Sequence, residues 1–87
     1  MTNEEFEQIM NQDGVSKLSD LKDDNAIVGL LIIRKYLPNK GIEGAQHDII
    51  YSVGADELVE AGITKEDAKY LRDINWMIEE GDMACFV

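Results

Sequence analysis

The segment MACFV, residues 83–87, decides the fold, because an otherwise acidic chain ends on apolar side chains. A strand needs a partner, since its buried backbone N–H and C=O groups must be hydrogen-bonded. The other segment with strand character is HDIIYSV, residues 47–53, which is rich in β-branched and aromatic residues. We therefore predict that the two segments pair antiparallel, with Ile49, Tyr51 and Val53 on one face.

A second interpretation of MACFV is an exposed tail that adds to the sheet edge of a receptor domain. This interpretation leaves HDIIYSV without a partner strand, so pairing within the chain is favoured. The resulting fold class is α+β: a small helical domain of about four helices with a two-stranded antiparallel sheet that includes the C-terminal strand.

The first half of the chain predicts two helices. Thr2 and Glu5 have the spacing of a capping box, which predicts a helix over residues 3–12. The apolar run between an N-cap and Pro38 predicts a central helix over residues 25–37, covered by the others, in which Gly29 marks the close approach of a neighbouring element. Between them, residues 15–21 fit either a loose helical turn or a packed loop.

The second half predicts two further helices. One spans residues 56–61 and ends at Gly62, and the next begins after Thr64. In the last helix, apolar residues recur at helical spacing and form one stripe: Tyr70, Leu71, Ile74, Met77 and Ile78. Trp76 then points away from this stripe, among charged side chains. Either it contacts a partner, or the C-terminal strand or the first helix covers it.

Composition indicates one compact domain over residues 1–87. The chain has 87 residues, is 45% hydrophobic and carries a formal net charge of −10. The hydrophobic fraction is that of a folded protein, so the acidic side chains must lie on its surface. A negatively charged surface repels nucleic acid and anionic lipid, so direct binding of either is disfavoured. The longest apolar run is too short to span a membrane. The acidic N-terminal segment lacks the features of a signal peptide, and one cysteine allows no internal disulfide, so we expect a cytoplasmic protein.

No residue pattern predicts a catalytic, cofactor or metal site. His47 and Cys85 lie on the two predicted strands and formally permit a Cys–His pair, but a small buried cysteine in a strand is far more common. The clustered acids lack the alternating spacing of a calcium loop, and a zinc site needs more ligands. We therefore expect a protein that is not an enzyme, with no catalytic residues, no metal and no cofactor.

The expected function is protein binding. An acidic surface steers association with a basic protein surface, and aromatic side chains supply the desolvated contact. The predicted partner-binding residues lie in the last predicted helix and just after it: Tyr70, Arg72, Asp73, Trp76, Glu79 and Glu80. The alternative is a structural or self-associating module, which forms a homodimer through the open sheet edge or the Trp76 face.

Three segments, RKYLPNKGIEGA, HDIIYSV and GITKEDAKYLRDINWMIEEGDMACFV, give the chain a resemblance to the short acidic proteins encoded by tailed phages and prophages. The resemblance covers roughly the last two thirds of the chain. It implies a protein that binds and inhibits a host factor, such as a nuclease or another defence protein. The acidic surface itself is consistent with a nucleic-acid mimic that engages a nucleic-acid-binding protein. It assigns no site residues.

Overall fold

The structure, a computed structural model, describes residues 1–12 and 22–86. Within these residues the chain forms four helices and four strands, so the predicted α+β class is confirmed. In chain order they are α1 (Asn3–Met10), α2 (Lys22–Tyr36), β1 (Gly44–Gln46), β2 (Ile49–Gly54), α3 (Ala55–Glu60), α4 (Lys65–Asp73), β3 (Trp76–Glu79) and β4 (Asp82–Phe86). The turn or loop proposed for residues 15–21, and Val87, lie outside the described residues.

The sheet has four strands in the order β1-β2-β4-β3, and all neighbours are antiparallel. The predicted pairing of the two strand segments is confirmed, since Ile49 lies opposite Phe86 and Tyr51 lies opposite Ala84. The prediction of a two-stranded sheet is wrong, because β1 and β3 each add a strand to an outer edge. The C-terminal strand therefore lies in the middle of the sheet and hydrogen-bonds on both sides.

The largest correction concerns β3, which was predicted as the end of the last helix. Helix α4 ends at Asp73, and Asn75 then adopts a left-handed backbone with φ 70°. Asparagine tolerates this conformation better than most residues, and it terminates a helix. The chain returns as β3 and reverses through Glu80 and Gly81, whose φ values of 51° and 86° suit a two-residue hairpin.

The strand predicted over residues 47–53 also has different bounds. His47 is in the turn between β1 and β2, with φ 55°, and β2 begins at Ile49. Ile49 and Tyr51 share a face as predicted, but Val53 is fully buried in the core. The ladder to β4 is irregular between Tyr51 and Gly54, and an extra residue at such a bulge moves the next side chain to the other face.

The predicted starts of α1 and α4 hold better than their ends, whereas α2, predicted over residues 25–37, begins three residues earlier and ends one residue earlier. The hydroxyl of Thr2 accepts a hydrogen bond from the backbone N–H of Glu5 at 3.1 Å, and the Glu5 carboxylate accepts one from the N–H of Thr2 at 3.0 Å. This capping box is confirmed. Helix α1 ends at Met10 and not at residue 12, α3 is one residue earlier than predicted, and α4 begins after the Thr64 N-cap as predicted.

Helix α2 is not the central covered helix that its apolar composition predicted. Ile27 and Leu31 are 56% and 60% exposed, so one face of the helix is open to solvent. The opposite face carries Gly29, and the close approach predicted there is confirmed, because a Cβ atom at Gly29 would lie 1.9 Å from Nε1 of Trp76. No helix in the described part of the chain is long and apolar enough to cross a bilayer.

The described elements share one hydrophobic core, which lies between the helices and one face of the sheet. Helix side chains such as Phe6, Leu58 and Leu71 are fully buried in it. The sheet contributes Ile50, Val53, Trp76, Ile78, Met83 and Cys85. Burial of this apolar surface is the main force that holds the fold. The other face of the sheet contributes nothing to this core.

A polar cluster joins α2 to the start of α4. The Asp67 carboxylate accepts hydrogen bonds from the Lys35 ammonium group, at 2.8 Å, and from the Tyr36 hydroxyl. The bond from Lys35 is the main cause that lowers the pKa of Asp67 below its usual value, and the bond from Tyr36 adds to it. The cluster therefore stabilises the folded chain only while Asp67 is ionised.

We expect the substitution Asp67→Asn to lower the free energy of unfolding by about 1 kcal/mol at pH 7, since the pair is partly exposed. Because the folded-state pKa lies below the unfolded one, this contribution is present above the unfolded pKa and is lost as the pH falls through the folded pKa. Urea denaturation of both proteins at pH 7 and at about pH 2 measures the difference, which should vanish in acid. Glu66→Gln, on the same helical turn, is the control and should change stability by less than about 0.5 kcal/mol. An Asp67→Asn loss that is equal at both pH values contradicts the prediction.

Candidate protein-interaction surface

The six residues predicted to bind a partner do not lie together. Trp76 is 2% exposed, and its Nε1 donates a hydrogen bond to the backbone carbonyl of Asn25 at 2.9 Å. Trp76 is therefore buried and not offered to a partner, and α2, which the prediction did not name, lies against its ring at Gly29. The helical assignment placed its side chain on the wrong side, because Trp76 is a strand residue.

The other five residues are divided between two places. On α4, Tyr70 is 41% exposed, while Arg72 and Asp73 form a largely buried pair at 3.1 Å. The Arg72 guanidinium also donates to the side chain of Gln12 at 2.7 Å, so it joins α4 to the end of α1. Glu79 and Glu80 lie at the β3–β4 hairpin instead. A single surface that uses all six residues is not present.

The sheet has a second face on which no described helix packs, and we call it the open face. The strand register defines it as three rows of side chains that run across the strands. The first row is Gln46, Ile49 and Phe86; the second is Gly44, Tyr51, Ala84 and Met77; the third is Gly54, Asp82 and Glu79. The open face thus combines residues from all four strands.

Its first two rows are unusually apolar for an uncovered sheet face. Antiparallel sheets with one face in solvent normally alternate apolar and polar side chains, with the polar ones outward. Here Phe86 is 49% exposed, and Ile49, Tyr51 and Met77 are partly exposed. Ala84, between Tyr51 and Met77, is fully buried but does not belong to the core cluster on the other face. The result is a continuous apolar platform.

The third row makes one end of the open face acidic. Glu79 and Asp82 are both exposed, and Glu80 follows in the hairpin turn. No lysine or arginine occupies any of the ten positions of the open face. The face is therefore apolar at one end and negatively charged at the other.

A shallow hollow of about 410 Å³ lies where the apolar and acidic parts meet. Gly44 has no side chain to fill it, and Tyr51 is among the residues that line it. Three carboxylates surround it, from Glu43, Glu80 and Asp82. A second hollow of about 310 Å³, beside the same hairpin, shares Glu80 and Asp82 and is also lined by Glu7 and Asp56. Both hollows favour positively charged groups.

Three of the four ion pairs in the described part of the chain involve none of the acids that line the two hollows. Lys35 pairs with Asp67, Lys65 with Glu5 and Arg72 with Asp73. Lys40 reaches one rim of the hollow, where its Nζ lies 3.5 Å from Glu43. Within the described residues, the carboxylates of Glu79, Glu80 and Asp82 make no salt bridge. Their negative charge is available to a group from outside the chain.

The thiol and imidazole that the sequence singled out are not placed for joint chemistry. Cys85 is on the core face, 1% exposed, and burial raises the pKa of its thiol to about 11, so the thiol is neutral at pH 7. His47 is exposed in the β1–β2 turn. Among the described residues, no group of three or more His, Cys, Asp or Glu side chains has the arrangement to hold a metal ion.

Sequence reasoning found Glu79 but missed the surface to which it belongs. Ile49 and Tyr51 were placed on one face, yet nothing identified that face as the uncovered one. The alternation of Met83 and Cys85 with Ala84 and Phe86 was the available signal, because both sets are apolar and only one can face the core.

Comparison with protein-family models, with curated proteins and with solved structures finds no match to this chain.

Proposed function

We propose that this chain is a non-enzymatic, acidic protein-binding module of the cytoplasm that engages a basic surface of another protein. The observation that carries the proposal is the set of hairpin carboxylates with no salt bridge in the described chain, next to exposed apolar side chains. Charge of one sign steers a partner of the opposite sign, and apolar contact then supplies affinity.

The formal charge of −10 supports the same partner chemistry. This charge attracts basic proteins and repels nucleic acid. The carboxylates of this chain can also take the place of phosphate groups in the nucleic-acid site of a basic protein. The resemblance to short phage proteins suggests a host factor as the partner, such as a nucleic-acid-binding or defence protein, which the module would inhibit.

The alternative function is self-association, and the apolar platform of the open face is the observation that favours it. Two copies bring a combined charge of −20, twice the −10 of one chain, so their association should strengthen as salt screens the repulsion. Association with a basic partner should weaken under the same change. The sign of the salt dependence therefore separates the two functions.

The test is capture from cell extract on the immobilised chain, with untagged copies of the same chain added to the extract. We expect basic proteins to be retained at about 0.05 M NaCl and released at about 0.5 M, because screening removes the electrostatic attraction. An immobilised unrelated acidic protein is the control. Retention that is insensitive to salt, or no specific retention, sinks the proposal. Retention of the untagged chain that rises with salt supports self-association instead.

A further inference from the structure

The open face has two chemically different parts, which occupy successive rows of side chains along the strands. Tyr51 belongs to both, because it lies beside Ala84 in the apolar platform and also lines the acidic hollow. A partner that covers this face must therefore supply apolar groups and a cation side by side. Neither part alone requires this combination.

The hollow suits the end of a lysine or arginine side chain. Tyr51 is one of the residues that line it, and a cation placed over the face of a tyrosine ring is attracted by the ring's negative face. Glu80 and Asp82 offer carboxylate oxygens on the side toward the hairpin. The absence of a side chain at Gly44 leaves the space open, since a Cβ there would meet only Tyr51, at 3.9 Å.

We infer that the open face is the contact surface for a basic protein, whose apolar side chains cover Met77, Ala84 and Phe86 and whose lysine or arginine enters the hollow between Tyr51, Glu80 and Asp82. This inference rests on the proposed function and specifies its site. Apolar contact supplies most of the affinity, and the hollow fixes the orientation of the partner on the sheet.

A second copy of the chain fits this surface poorly. Its own open face carries no lysine or arginine, and Lys40 at the rim of the hollow is paired with Glu43, so face-to-face packing of two copies brings no unpaired cation to either hollow. The outer face of α2 also exposes apolar side chains, those of Ile27 and Leu31, but it lies on a helix of the opposite layer. It therefore provides a matched control in the same molecule.

The experiment compares two double variants of the open face with two matched controls in the capture assay described above. Met77→Ser with Phe86→Ser removes the apolar contact, and Glu80→Gln with Asp82→Asn removes the charge of the hollow. Ile27→Ser with Leu31→Ser removes comparable exposed apolar surface from α2, and Glu4→Gln with Glu66→Gln removes two exposed charges from helices. Circular dichroism and urea denaturation confirm that each variant is folded.

We expect each open-face variant to lower retention of the extract proteins at low salt by about tenfold or more, as for other interface anchors. Both controls should stay within about twofold of the wild type, since they lie outside the contact. The hollow variant should also flatten the salt dependence, while the apolar variant should leave it unchanged.

A photo-crosslinking residue at position 77 gives an independent readout. It should link to the retained protein, and the same residue at position 69 on α4 should not. If the wild type retains nothing specific, the proposed function fails together with this inference. If the wild type retains a basic protein but the open-face variants retain it equally well, or if crosslinks form only from position 69, the inference alone fails.

Discussion

Removal of residues 83–87 should abolish cooperative folding. The deletion takes away nearly all of β4, which lies between β2 and β3 and hydrogen-bonds to both. It also removes Met83 and Cys85 from the core. The remaining strands lose their ladder, and isolated strand pairs are marginally stable at best. Thermal melting by circular dichroism should show no cooperative transition, and amide exchange should show no protected strand.

Phe86→Ser is the matched control for this truncation. It keeps the backbone of β4 and removes one half-exposed side chain of the open face. We expect it to lower the free energy of unfolding by less than about 1 kcal/mol, because little buried apolar surface is lost. Cooperative melting of the truncated chain near the wild-type temperature would contradict the central position of β4.

The second large effect is expected from Gly29→Ala. In a helix interior this change normally stabilises by about 1 kcal/mol. Here the new Cβ would lie 1.9 Å from Nε1 and 2.1 Å from Cε2 of Trp76. The ring must move, and it then loses its hydrogen bond to the carbonyl of Asn25. We expect a net loss of about 3 kcal/mol, the upper range for overpacking a core, measured by urea denaturation.

Two further variants show whether Trp76 is the cause. Gly41→Ala should be nearly neutral, since a Cβ there meets no atom within 4 Å. In a Trp76→Leu background, Gly29→Ala should cost less than about 1 kcal/mol, because the ring that it displaces is gone. An equal cost in both backgrounds would show that the two residues are not in contact.

The parts of the fold that could be predicted from sequence are those determined by local chemistry. The capping residues Thr2 and Thr64 fix where two helices begin, and both satisfy backbone N–H groups through their side chains. Gly29 predicted a close neighbour because a glycine lowers the stability of a helix interior, and its missing side chain leaves room for another element. The pairing of β2 with β4 followed from the need of each strand for a partner.

The hairpin of β3 and β4 could not be separated from a helix by periodicity alone. Ile74, Met77 and Ile78 continue the helical spacing of α4, and a strand of four residues is too short to show alternation against it. The decisive signals were Asn75, which ends the helix, and Gly81, which allows the tight turn. Strand β1 has no strand propensity of its own and exists because β2 pairs with it.

The candidate surface was beyond sequence reasoning for a related reason. Which side chains share the open face depends on the register of four strands and on the bulge before Gly54. A one-residue change in register moves every side chain of a strand to the other face. Trp76 illustrates this dependence, since its side chain is buried only because β3 is a strand whose odd and even positions face opposite ways.

The central position of β4 has a consequence for biosynthesis. During translation, β1, β2 and β3 all emerge before the strand that joins them, so the first hairpin and the β3 segment exist for a time without their shared neighbour. Contacts between segments about 30 residues apart must then form late, which slows folding and leaves strand edges transiently open to aggregation. The acidic side chains of the nascent chain repel other copies during this interval.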